Sequence, residues 1–142
     1  MSLVSDIVYD RPFAHVAESD TVAAAARRMA DLKCGAILVL DSGKLRGVFS
    51  ERDIMNRVVL ERRDPETTPV ARVMSTNLMT IEESATLEDA MAAMNAHNCR
   101  HLPVMKNGHV VAFLSMRDLM KHELALRTEE LHHMRNYING AS

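Results

Sequence analysis

The 142-residue sequence predicts an α+β fold: two β-α-β-β-α units, related by a pseudo-twofold axis and packed sheet to sheet, followed by a C-terminal helix. Three observations predict it. The chain repeats itself at a spacing of 65 residues, each copy alternates helical and strand patterning in the same order, and an amphipathic segment runs on past the second copy.

Shifting the chain by 65 superposes residues 8–55 on 73–120 without a gap, and 13 of those 48 positions are identical. The matches include Glu18/Glu83, Thr21/Thr86, Met29/Met94, Cys34/Cys99, Gly43/Gly108, Ser50/Ser115, Arg52/Arg117 and Asp53/Asp118. Chance supplies far fewer, so the chain is a duplication. Unit 1 is expected over 5–62 and unit 2 over 70–124, with the Pro-containing "RRDPETTPV" as linker and a helical extension over 125–140.

Within each unit a first strand precedes "ESDTVAAAARRMADLKC" or "EESATLEDAMAAMNAHNC", where hydroxyl or acidic residues lead into helical spacing. Leu87, Ala90, Met91 and Met94 fall at i, i+3, i+4 and i+7, the pattern of one buried helix face, and the Met residues at helical spacing read as core. Next come "AILVL" or "LPVM", a turn on Gly43 ("DSGK") or Gly108 ("KNGH"), and "LRGVFS" or "VVAFLS", which together read as a β-hairpin. A last helix starts at Ser50 or Ser115. A unit of this size is marginal alone, so the two sheets are expected to stack and leave two equivalent clefts at their strand ends.

In the tail, Met120, Leu124, Leu131, Met134 and Ile138 recur at helical spacing and Gly140 is a natural stop. Such a stripe covers either its own sheet edge or a partner chain. Both signs of charge share its polar face, which argues against a membrane surface.

Composition narrows the function classes. Apolar residues are 47% and charged residues 25%, with a formal charge of −2 and no long run of one sign, so there is no electrostatic footprint for nucleic acid or an anionic membrane. No apolar stretch spans a bilayer, "MSLVSDIVYDRP" lacks the pattern of a secretory signal, and a cytoplasmic location is expected. Cys34 and Cys99 form no C-x-x-C pair and read as small buried residues. His97 and His101 straddle a helix end and a strand start, with no Cys or carboxylate completing a ligand set, so no metal site is expected.

The repeated Ser-x-Arg-Asp carries the chemistry. Capping alone tolerates other residues at position 50 and does not require the arginine, yet both copies keep "SERD" and "SMRD" in one register. A carboxylate accepts two bonds from a ribose diol, a hydroxyl donates to phosphate, and arginine grips phosphate through a two-pronged fork. Free N–H groups of the first helical turn add to the attraction for an anion.

On these residues the chain resembles a pair of CBS domains, the family named for cystathionine beta-synthase: two tandem β-α-β-β-α units, each closing on an apolar strand followed by Ser-x-x-Asp, as in "GVFSERDIM" and "AFLSMRDLM". The likeness covers about residues 5 to 122. It implies a regulatory sensor of an adenosine ligand (AMP, ADP, ATP, NAD or S-adenosylmethionine), without a required cofactor, associating as a homodimer and signalling to a regulated protein. Carried across, Asp53 and Asp118 take the ribose hydroxyls, Ser50 and Ser115 contact ribose or phosphate, and Arg52 and Arg117 contact phosphate. Asp53 then shares a cleft with Arg100 and His101, and Asp118 with Gly35 and Ala36, while Ala14 and Met79 are weaker candidates for the adenine wall. One departure is that the family's glycine is present as Gly47 but replaced by Ala112, whose methyl is expected to narrow the second cleft. The competing readings are a small nucleotide-processing enzyme using His101 or His109 as base, or a dimerisation module with vestigial clefts.

Overall fold

Thr21 and Thr86 open the long helix of each unit, their hydroxyls accepting from Ala24 N and Asp89 N at 3.1 Å. Asp89 completes a capping box by accepting from Thr86 N. These caps begin α2 (Val22–Leu32) and α4 (Leu87–Ala96) of a computed structural model that describes residues 2–8 and 11–140. A short α1 (Val4–Val8) precedes them.

Each unit holds a three-stranded sheet. β1 (His15–Ala17), β2 (Ala36–Asp41) and β3 (Lys44–Ser50) form the first, in the order β1-β2-β3; β4 (Ile81–Glu82), β5 (His101–Lys106) and β6 (His109–Ser115) form the second in the matching order. The outer strand is parallel and the hairpin antiparallel in both. Ser42–Gly43 and Asn107–Gly108 turn the hairpins with positive φ at both central residues, the geometry that matches the twist of the flanking strands. A register shift follows Val39 and, at the equivalent position, Val104. The duplication is thus preserved down to its irregularities.

One face of each sheet packs on its helices. Ile37, Val39 and Phe49 meet Val22, Ala25 and Met29; Leu102, Val104, Ala112 and Leu114 meet Leu87, Ala90 and Met94. The four residues Ala36–Val39 are all buried, so β2 is covered on both faces, and β3 and β6 pack against each other where the sheets stack.

The segment ahead of each unit's first strand is exchanged between units. Val4 and Val8 of α1 lie in the core of the second unit, with Val4 N bonded to Ala85 O at 2.9 Å. Val70 and Val73, in and just after a 3₁₀ turn (Val70–Arg72) that continues the linker toward β4, lie in the core of the first, with Val70 N bonded to Asp20 O at 2.7 Å. Repetition alone did not signal this exchange.

Two expectations need correcting. Met91 is not part of the buried face of α4; it is 48% exposed, because it sits on the flank turned toward the cleft. Met29 and Met94 are core, but Met55, Met120 and Met134 are exposed, because their helices leave one side uncovered.

The last helices differ in length and winding. After β3, α3 (Glu51–Asp53) runs directly into a π-helical stretch, Ile54–Val59. After β6, α5 (Met116–Gly140) continues for 25 residues. Leu131, Met134 and Ile138 are more than half exposed, so the tail does not fold back over its own sheet.

Candidate functional site

The two strand-to-helix junctions, Ser50–Asp53 and Ser115–Asp118, open into one continuous cleft of about 2160 Å³ between the units. This exceeds the roughly 300–1,000 Å³ of a single small-ligand site, as expected if two sites merge across a pseudo-twofold axis. The structure brings all twelve predicted residues to its wall: Ala14, Gly35, Ala36, Ser50, Arg52, Asp53, Met79, Arg100, His101, Ser115, Arg117 and Asp118.

Both acids cap their helices. Ser50 N and Ser50 Oγ donate to Asp53 Oδ2 at 3.0 and 3.1 Å, and Asp53 N donates back to Ser50 Oγ at 3.3 Å. Ser115 N donates to Asp118 Oδ2 at 2.8 Å, and Asp118 N donates to Ser115 Oγ at 3.1 Å. The remaining acceptor positions distinguish the junctions. Asp53, only 6% exposed, receives Ser75 Oγ on Oδ1 at 3.1 Å, with Arg57 Nε 3.8 Å away. Asp118 receives a two-pronged grip from Arg11, Nη1 to Oδ1 and Nη2 to Oδ2, both at 2.9 Å; Nη2 also reaches Phe113 O at 2.9 Å.

Ser75, Arg57 and Arg11 escaped the sequence reading. Ser75 and Arg11 come from the exchanged segments that cross to the other unit, and the 65-residue shift pairs Arg11 with Thr76 rather than with another arginine. Repetition therefore carried no signal for them.

The electrostatics follow from burial and these partners. Burial works against ionisation of Asp118, but the hydrogen bonds from Arg11 and Ser115, with the Arg11 charge, outweigh it and hold the carboxyl below the usual carboxylate range. Burial holds His101 below the ordinary imidazole value, opposed by Asp118 and Glu51 and reinforced by Arg100. Its ring stacks at a tilt on Phe113, centroids 5.2 Å apart. Burial likewise pushes the Cys99 thiol up, which disfavours a thiolate nucleophile. Arg52, Arg100 and Arg117 are exposed on the rim and make no ion pair among the described residues, so three guanidinium groups face the cleft uncommitted. Also among the described residues, no group of three or more His, Cys, Asp or Glu is placed to hold a metal ion, and no helix is long and apolar enough to cross a membrane.

The expectation for Ala112 is corrected. An added Cβ at Gly47 would lie 2.5 Å from Met74 Sδ and 2.9 Å from Ser75 O, so this glycine makes room for the chain's own linker, which bridges to β3 through Val48 and Ser75. Ala112 is buried in the core of its unit and does not line the cleft. What occupies the second junction is Arg11.

The CBS domain family model matches residues 4–60 and 70–125. The chain belongs to the CBS domain family, as a tandem pair. It is 34% identical over 125 residues to the CBS domain-containing protein YhcV of Bacillus subtilis, covering 88% of each chain. A putative signal-transduction protein with CBS domains from Burkholderia ambifaria superposes with a TM-score of 0.83 at 32% identity, over 87% of this chain and 95% of the other. A CBS domain protein of Pyrobaculum aerophilum, solved in complex with AMP, superposes with a TM-score of 0.74 at 29% identity, over 82% of this chain and 88% of the other. The CBS domain-containing protein CBSCBSPB1 of Arabidopsis thaliana is far longer: it matches over 102 residues at 35% identity, and the matched stretch is 19% of its length.

Proposed function

We propose that this chain is a regulatory CBS pair that binds an adenosine nucleotide in the inter-unit cleft and passes occupancy to a partner protein, without catalysis, as a cytoplasmic homodimer. The observation that carries the reading is the pair of Ser-x-Arg-Asp junctions opening into one cleft whose rim holds three uncommitted guanidinium groups. A carboxylate at each junction suits a ribose diol, and Arg52, Arg100 and Arg117 suit a phosphate. Ala14, Met79 and the His101–Phe113 pair offer apolar and aromatic surface to a base, while Gly35 and Ala36 admit a close approach. The AMP complex of the Pyrobaculum aerophilum relative supports the ligand class. AMP, ADP and ATP are the first ligands to test, with NAD and S-adenosylmethionine in the same chemical class.

A homodimer is supported by exposed apolar side chains at equivalent places on the last helices, Met55 and Val59 on one and Met120 and Leu124 on the other. Such a face is uncommon on a monomer.

One observation favours a second reading, a dimerisation module with vestigial clefts: both junction acids are already satisfied by the chain's own groups. Thermal unfolding in the presence of AMP, ADP, ATP, NAD and S-adenosylmethionine separates the two. A ligand at a hundred times its dissociation constant adds about 2.7 kcal/mol of stability, a shift of several degrees for a chain of this size. A flat response to all five ligands favours the vestigial reading.

A further inference from the structure

Resting on the nucleotide reading above, we infer that Arg11 is an internal occupant of the Asp118 junction, so that the two sites are unequal and a nucleotide fills the Asp53 junction first. The difference lies in what a ribose diol must displace. At Asp53 the group on Oδ1 is the Ser75 hydroxyl at 3.1 Å, a neutral donor that turns about its own bond. A ribose hydroxyl replacing it exchanges one O–H donor to a carboxylate for another. The nearest cation, Arg57, stands off at 3.8 Å and spends its Nη1 on the carbonyls of Val73 and Met74 at 3.3 and 2.8 Å.

At Asp118 both carboxylate oxygens are gripped by one planar guanidinium at 2.9 Å, and Phe113 O fixes the same nitrogen from a second side. A diol that enters here must part a two-pronged, charge-assisted ion pair and leave Arg11 without its carboxylate partner. The Arg11 side chain is 35% exposed and that of Asp118 19%, so water replaces the lost carboxylate only in part. Arg11 belongs to the segment that follows α1, and it reaches Asp118 across 107 residues of sequence. Its position is therefore set by the exchange of segments between units. A site built from near-identical Ser-x-Arg-Asp motifs becomes asymmetric through Arg11, whose counterpart in the repeat is Thr76.

Calorimetric titration of the full chain with AMP tests this. The wild type should show one tighter site and a second at least about tenfold weaker, the scale of a lost charge-assisted bond. Asp53→Asn should weaken the tighter site by about tenfold or more and leave the weaker one unchanged. Arg11→Gln should tighten the second site by about tenfold or more, bringing the two together, and Arg11→Lys, which keeps the charge but loses the fork, should fall between. Two equal sites in the wild type overturn the inference while leaving the nucleotide reading intact. So does an Arg11→Gln variant, folded by circular dichroism, whose weaker site is unchanged or weaker still. Absence of any AMP binding in both wild type and Arg11→Gln overturns the nucleotide reading itself and this inference with it.

Discussion

Ser50 and Asp53 hold each other by three hydrogen bonds: the Ser50 amide and hydroxyl donate to Asp53 Oδ2, and the Asp53 amide returns a bond to Ser50 Oγ. The residue proposed to take the ribose hydroxyls is thereby also a helix cap and the anchor for Ser75. Asp53→Ala should therefore cost about 1–3 kcal/mol of stability, since the donors of Ser50 and Ser75 lose a buried acceptor. Asp53→Asn, which keeps an acceptor oxygen, should cost less while still weakening AMP binding about tenfold or more. Urea unfolding and calorimetry on both variants check this. Equal stability loss in both would assign the carboxylate charge mainly to the cap.

Gly47→Ala should destabilise the fold by about 1–3 kcal/mol, the usual range for forcing atoms into a packed site. Its Cβ would meet the Ser75 carbonyl at 2.9 Å, so relief must come from moving the linker off β3, which also draws Ser75 from Asp53. Gly35→Ala is the control, with the Glu51 carboxylate at an ordinary 3.5 Å. Similar unfolding midpoints for the two variants would contradict this account of Gly47.

Acid should weaken the fold in two steps. Burial holds His101 below its ordinary value, so the unfolded chain takes up that proton first, and stability falls as pH drops below about 6.5. The Asp118 carboxyl is held low, despite burial, by Arg11 and Ser115; its contribution is intact above about 3.9 and is lost as pH falls through the lower folded value. Denaturant midpoints from pH 8 to 3, a range chosen around these reference values, should show both steps. His101→Gln should flatten the upper one and Arg11→Gln the lower. An upper step that survives His101→Gln would place its origin elsewhere.

Replacing Val59 and Leu124 together by Glu should shift the mass seen by light scattering from dimer to monomer at low concentration, because charges would then face the apolar surface of the second copy. Deleting residues 126–142 asks a narrower question. If Leu131, Met134 and Ile138 contribute to the same face, the truncated chain should also dissociate more readily. An unchanged dimer in the double variant would rule this face out.

How far the sequence could be read depended on repetition. Strand and helix order, the Gly43 and Gly108 turns, and the placement of Ser-x-Arg-Asp at the cleft wall were legible because two copies said the same thing. Arg11, Ser75 and the Val4–Val8 helix were not, because their roles depend on contacts across long stretches of chain, and the repeat sets Arg11 against Thr76 and Ser75 against Asp10. Met91 was misplaced because helical spacing identifies an apolar stripe without saying which edge of it a cleft leaves open. The π-helical Ile54–Val59 stretch has no counterpart in α5, and nothing in its composition explains the difference.

The crossing of α1 and the linker turn into opposite units bears on how such a chain arises and how it folds. A single ancestral copy would lack two core residues of its own and could recover them only by trading that segment with a second molecule, so an intertwined two-chain assembly is the natural forerunner of the fused form. The fused chain inherits a constraint on the order of events during synthesis. The first unit cannot close its core until Val70 and Val73 have emerged, and Val4 and Val8, made first, wait for the last-built sheet before they are covered.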